Sequence, residues 1–206
     1  MKKTIKIIAA SALAIAFAAA CDHSEVVTDK VNVDLTEALQ DGQKDSVSVN
    51  AEVEFPVSGL PDSVKTRITE TIVETAFGSD YAGMEIHAAA EKWSSDYVKE
   101  YRETNLEFAK EFESGEPSGG VFNWENQLNG YFSGRHEDIV SYTVYNYIYS
   151  GGAHGTTTEV AVNMNRNTGK LVNEADFFIP GYREALSGIL SSHLRDALPD
   201  QESYDA

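Results

Sequence analysis

Tyr142-Thr143-Val144-Tyr145-Asn146-Tyr147-Ile148-Tyr149-Ser150-Gly151-Gly152-Ala153-His154-Gly155 decides how the second half of the chain is read. Aromatic and β-branched residues favour a strand through Tyr149, and three glycines then fall within five positions. The backbone leaves this strand through conformations that residues with a Cβ avoid, and it carries one sizeable side chain, the His154 imidazole. Such a loop either presents a group or turns the sheet sharply, and the residue types allow both. Period-two alternation puts Tyr145, Tyr147 and Tyr149 on one face and Tyr142 on the other. One tyrosine set therefore meets solvent unless both faces are covered.

On the N-terminal side of this stretch, Phe122, Trp124, Leu128 and Phe132 share one phase of a preceding strand, and Ser133 to Asp138 read as the turn that returns it. Thr158, Val160, Val162 and Met164 form the apolar phase of a following strand. Asn165-Arg166-Asn167-Thr168-Gly169 is a turn, and Lys170-Leu171-Val172 begins a fourth strand. Pro180-Gly181 opens a last helix with a stripe at Leu186, Ile189, Leu190, Leu194 and Leu198, ended by Pro199.

Toward the N-terminus, Glu113 to Gly120 is dense in residues that stop helices and marks an internal boundary. Before it, Met84 to Phe112 carries Ala90, Trp93, Tyr97, Tyr101, Phe108 and Phe112 at helical spacing, a stripe suited to core packing. Val64, Ile68, Ile72, Val73 and Ala76 form a shorter helix between Pro61 and Gly78. From Ser46 to Val57 apolar and polar residues alternate without error, which predicts a strand with one dry face. The fold class is therefore α+β: a strand-helix-helix unit packed with an antiparallel β-meander and a closing C-terminal helix. Its two parts span residues 46–116 and 117–206.

The first 45 residues read as an address and a tether. Lys2, Lys3 and Lys6 precede an apolar run from Ile7 to Phe17, then Ala18-Ala19-Ala20 and Cys21, the order of a bacterial secretory signal over residues 1–20. The run is shorter than the ~20 apolar residues that span a bilayer. Cys21 is the one cysteine, so an internal disulfide and a multi-thiolate metal site are both excluded. The small residues before it resemble a lipobox, although Ala18 stands where leucine is usual. A lipidated Cys21 carrying acyl chains such as palmitate would anchor the protein to a membrane, outside the cytoplasmic membrane, at a periplasmic or outer-membrane surface. Residues 22–45 are polar, with short apolar patches such as Val31 and Val33, and read as a flexible tether that could extend ~80 Å.

Loss of residues 1–20 removes three of the 16 basic residues and none of the 33 acidic ones, leaving a net charge of −20. This charge speaks against nucleic acid as a partner, because its phosphates need a basic footprint. Cationic partners are favoured. Phosphate-loop, zinc-helix and nucleophile-elbow motifs are missing, which points away from an enzyme without excluding one. No cofactor is implied. His136 and His154 lie at opposite ends of a strand of about eleven residues, more than ~35 Å apart, so they cannot share a metal within one subunit. Returning strands bring Asp176 toward the His154 end, where the pair could orient an imidazole for binding or acid-base work, or pin the loop structurally. Tyr149, Gly151, Gly152, His154, Gly155 and Asp176 are the candidate binding residues, and an envelope hydrolase using His154 with a nearby carboxylate is the rival reading.

The order of elements, with Tyr149-Ser150-Gly151-Gly152-Ala153-His154-Gly155, Thr168-Gly169-Lys170 and Asp176-Phe177-Phe178, resembles a bacterial envelope family whose members pair two domains of unknown function. A similar pair forms the extracellular part of a lysozyme-sensing anti-sigma factor, and a domain like the first accompanies some peptidoglycan deacetylases. The resemblance runs from Ser46 onward and includes no anti-sigma or deacetylase segment, so it implies neither activity. Relatives continue past the last helix with a further β segment. What the resemblance implies is recognition of lysozyme or another cell-wall-related partner.

Overall fold

The computed structural model describes residues 26–40, 44–111 and 122–197. The signal segment, Cys21, His23, Phe112, the Glu113–Gly120 boundary, Leu198 and Pro199 lie outside the described residues. The chain divides into two units at Leu171/Val172, each described by itself.

The first unit is a five-stranded sheet in the order β1 (Val27–Ala38), β2 (Ser46–Ser58), β3 (Trp124–His136), β4 (Ile139–Tyr149) and β5 (Thr156–Asn165). Neighbours are antiparallel except β2 and β3, which run parallel with Val47 opposite Trp124 and Val53 opposite Gly130. A parallel pair needs a long crossover. Here α1 (Asp62–Phe77), a short 3₁₀ turn and α2 (Ile86–Glu111) supply most of it. Both helices pack on one face of the sheet. The class is α+β, as the alternation and helical stripes predict.

The core follows from the dry phase of β2. Val47, Val49 and Val53 are fully buried and meet Ile68, Ile72 and Val73 of α1 and Ala89, Ala90 and Tyr101 of α2 in one apolar cluster. Leu128, Tyr142, Val144 and Met164 extend that cluster along β3, β4 and β5. Pro61 precedes α1, where its carbonyl accepts from Val64 and Lys65, and Gly78 ends it at φ 102°. At the start of α2 the Glu85 carboxylate accepts from the backbone N–H groups of His87 and Ala88.

Five expectations need correction. Residues 27–38 of the expected tether form β1, paired along its length with β2. Val31, Val33 and Leu35 alternate with Asn32 and Asp34, and Val31 and Leu39 are buried in the core. The segment's high polarity reflects a strand with one solvated face. The division at residue 116 is also not a domain boundary, because β2 and β3 share a ladder across it. Phe108 is exposed, and Asn105 and Ala109, four and eight residues past Tyr101, hold the buried face of α2 instead. β3 runs on to His136, with a bulge at Ser133, so the turn shrinks to Glu137-Asp138. Last, Lys170 to Val172 form only one bridge, Leu171 to Met164, rather than a strand.

The second unit contains α3 (Glu174–Phe177) and α4 (Tyr182–Ala197). Asn173 caps α3: its side chain accepts from Ala175 N–H, and Asp176 accepts from Asn173 N–H. Glu174 is hydrogen-bonded by Tyr182 and by Arg183, and these partners, the tyrosine first, hold its carboxyl below the usual range. The α4 stripe forms at the expected spacing, with Ile189, Leu190 and Leu194 exposed.

Candidate functional site: the open face of the sheet

Because α1 and α2 lie on one side of the sheet, the polar phase of every strand points to the other. The registers place these residues in rows. One row reads Asn32, Glu52, Asn129, Tyr145 and Glu159 across β1 to β5, and the next reads Asp34, Asn50, Gln127, Tyr147 and Thr157. Thr36, Ser48, Glu125 and Tyr149 make a third row. Tyr131, opposite Thr143, belongs to the same face. Adjacent strands are about 4.8 Å apart, so the rows form a continuous surface of amides, carboxylates and phenols. Asp34, Glu52, Glu125 and Glu159 make it acidic, and Lys30 on the same face pairs with Glu52 at 2.6 Å.

The tyrosines divide as the alternation requires. Tyr142 is fully buried on the helix side, where its hydroxyl donates to the Glu54 carbonyl at 2.8 Å and burial pushes its phenol well above the ordinary value. Tyr131 and Tyr145 are 45% and 36% exposed on the open face. Tyr147 and Tyr149 are half-buried there because they hold the glycine loop. The Tyr149 hydroxyl donates to the Gly152 carbonyl at 2.9 Å. The Tyr147 ring covers Gly155, where an added Cβ would fall 2.5 Å from two ring carbons. Gly151 and Gly152 adopt φ of 91° and 92°, which a residue with a Cβ rarely takes.

His154 is exposed at the loop, with Nδ1 3.3 Å from the Gly155 carbonyl oxygen, a contact in which the ring nitrogen donates. It stands beyond the Tyr149 end of β4, while His136 pairs with Ile139 at the opposite end. Asp176 uses its carboxylate in the α3 capping box. Tyr149, Gly151, Gly152, His154 and Gly155 therefore lie together at one end of β4, and Asp176 belongs to the second unit. Among the described residues no three His, Cys, Asp or Glu side chains group as metal ligands, and no helix is long and apolar enough to cross a membrane.

Sequence reasoning missed Tyr131, Asn129, Glu52 and Glu159 as members of this surface. Their signal was the polar phase of each strand, legible only once the register between strands is known.

The fold has solved counterparts. A crystal structure of a DUF3298 family member from Bacteroides fragilis is similar with a TM-score of 0.77 at 20% identity, over 88% of this chain and 73% of that one. A DUF3298 family protein from Pseudomonas aeruginosa gives 0.56 at 18% identity, over 86% of this chain and 71% of that one. At such identities the likeness is one of fold, and the fold is that of a domain of unknown function. Neither a protein-family model nor a curated protein matches the sequence.

Proposed function

We propose that this is a lipid-anchored cell-envelope protein that recognises a cationic partner, lysozyme or another basic cell-wall-related protein, without chemical turnover. The observation that carries the proposal is the helix-free sheet face, where exposed Tyr131 and Tyr145 stand among amides and the carboxylates of Asp34, Glu52, Glu125 and Glu159. Tyrosine supplies contact area at low conformational cost, and carboxylates steer and orient a basic surface. The charge of −20 after loss of residues 1–20 adds a long-range attraction. Cys21 would hold the protein outside the cytoplasmic membrane, and the resemblance to the extracellular part of a lysozyme-sensing protein supports that choice of partner. His154 and the glycine loop border this face.

The hydrolase reading has no comparable support, since His154 contacts its own loop and Asp176 caps its own helix. The test is a calorimetric titration of the soluble chain, starting after Cys21, with lysozyme at 20 mM and 500 mM salt. Association that weakens at the higher salt, where the screening length is only a few ångströms, agrees with the proposal. No association at 20 mM refutes lysozyme as the partner.

A further inference from the structure

Among the described residues the open face has one place where an aromatic ring and an unpaired carboxylate stand side by side. Tyr145 on β4 is directly opposite Glu159 on β5, and Asn129 flanks Tyr145 from β3. Directly opposed side chains on neighbouring strands start about 5 Å apart at Cβ, within reach of one planar group laid over both. Tyr131 lies on the diagonal, two residues along β3 from Asn129, and is exposed. The acids differ in their commitments: Glu52 is paired with Lys30, Glu125 accepts from Gln127, and Glu54 accepts from Thr28 and from Phe132 N–H. Among the described residues neither Glu159 nor Asp34 has an ion-pair or hydrogen-bond partner and both are exposed, but Asp34 stands opposite Asn50 with no ring beside it, whereas Glu159 stands opposite Tyr145.

We propose that Tyr145 and Glu159, with Asn129 beside them, form a receptor for an arginine side chain of the basic partner, an inference that rests on the cationic-partner reading above. The guanidinium is the group that fits. Its plane stacks on a phenol face, its fork of N–H donors matches a carboxylate in two bonds, and a remaining N–H reaches an amide oxygen. A lysine ammonium is a strongly hydrated point charge and gains less from the ring. Charge complementarity selects a cation, and the pairing of ring with carboxylate selects arginine over lysine.

The probes are arginine and lysine homodecapeptides, titrated against the chain after Cys21 at low salt. The wild type binds the arginine peptide about two- to fivefold tighter than the lysine peptide, the scale of one exposed cation–π contact. Tyr145→Ala and Glu159→Gln each abolish that preference, Tyr145→Phe keeps it, and Glu70→Gln, on the exposed side of α1, lowers both affinities alike. Equal affinities in the wild type, or a preference that survives Tyr145→Ala, overturns the inference. A preference that Glu70→Gln removes as effectively as Glu159→Gln also overturns it, since the field alone would then be responsible. Lysozyme plays no part in this readout, so the assay can fail while lysozyme association stands, and the reverse.

Discussion

Tyr142 occupies the space that a Cβ on Gly130 would need. The two residues belong to adjacent strands, the phenol carbon Cζ would lie 3.2 Å from that Cβ, and the hydroxyl would overlap it. Tyr142 cannot retreat, because it is fully buried and its hydroxyl is bonded to the Glu54 carbonyl. Gly130→Ala should therefore force either strand to shift and cost about 2–3 kcal/mol, by overpacking and by loss of a buried hydrogen bond. Urea unfolding of the variant against the wild type measures this, and an unchanged midpoint would contradict it.

The pair on the other face behaves differently. Gly155 is covered by the Tyr147 ring, but that ring is half-exposed and can swing toward solvent. Gly155→Ala should cost less than about 1 kcal/mol in unfolding free energy while displacing Tyr147. The expected signature is a changed near-ultraviolet tyrosine spectrum with a nearly unchanged unfolding midpoint. Tyr149→Phe, which frees the Gly152 carbonyl, should cost about 0.5–1.5 kcal/mol.

Strand β1 and Leu39, the residue that follows it, give a third expectation. A flexible tether would tolerate Val31→Ala and Leu39→Ala without loss, whereas side chains that are 4% and 3% exposed within the core should not. Leu39→Ala should destabilise the domain by about 2–4 kcal/mol and Val31→Ala by somewhat less, measured by thermal or urea unfolding.

Alkaline pH provides a fourth. Burial pushes the Tyr97 and Tyr101 phenols to about 12, and the buried Tyr142 phenol is also raised. A phenol whose folded pKa exceeds its unfolded value of about 10 keeps its stabilising effect below pH 10. That effect disappears as pH rises through the folded value. Stability should be level from pH 7 to 9 and fall above 10, with part of the tyrosinate absorbance appearing only on unfolding. An absorbance titration that completes near pH 10 with the protein still folded would contradict this.

The period of each segment made much of this fold legible. The dry phase of β2 from Val47 to Phe55, the stripe from Val64 to Ala76, and the boundaries of β4 follow from spacing that the structure repeats, whereas Val57, expected in the same dry phase, is exposed and Pro56 is buried instead. Two things were not legible. Val31, Val33 and Leu35 alternate over too short and too polar a stretch to outweigh the tether-like composition around them, and only the Val49 and Ala51 partners show them to be a strand. The parallel pairing of β2 with β3 was hidden because it joins Val47 to Trp124 across two helices, a long-range contact with no local signal. The site suffered likewise. The glycine loop announced itself, but the row joining Glu52, Asn129, Tyr145 and Glu159 exists only through the register of four strands.

Hydroxyl-radical footprinting of the chain in the presence of lysozyme reads out whether the helix-free face of the sheet meets the partner. Tyr131 and Tyr145 should lose reactivity on binding while Phe108, 60% exposed on α2, keeps its own. Protection of Phe108 with Tyr131 and Tyr145 unchanged would contradict it.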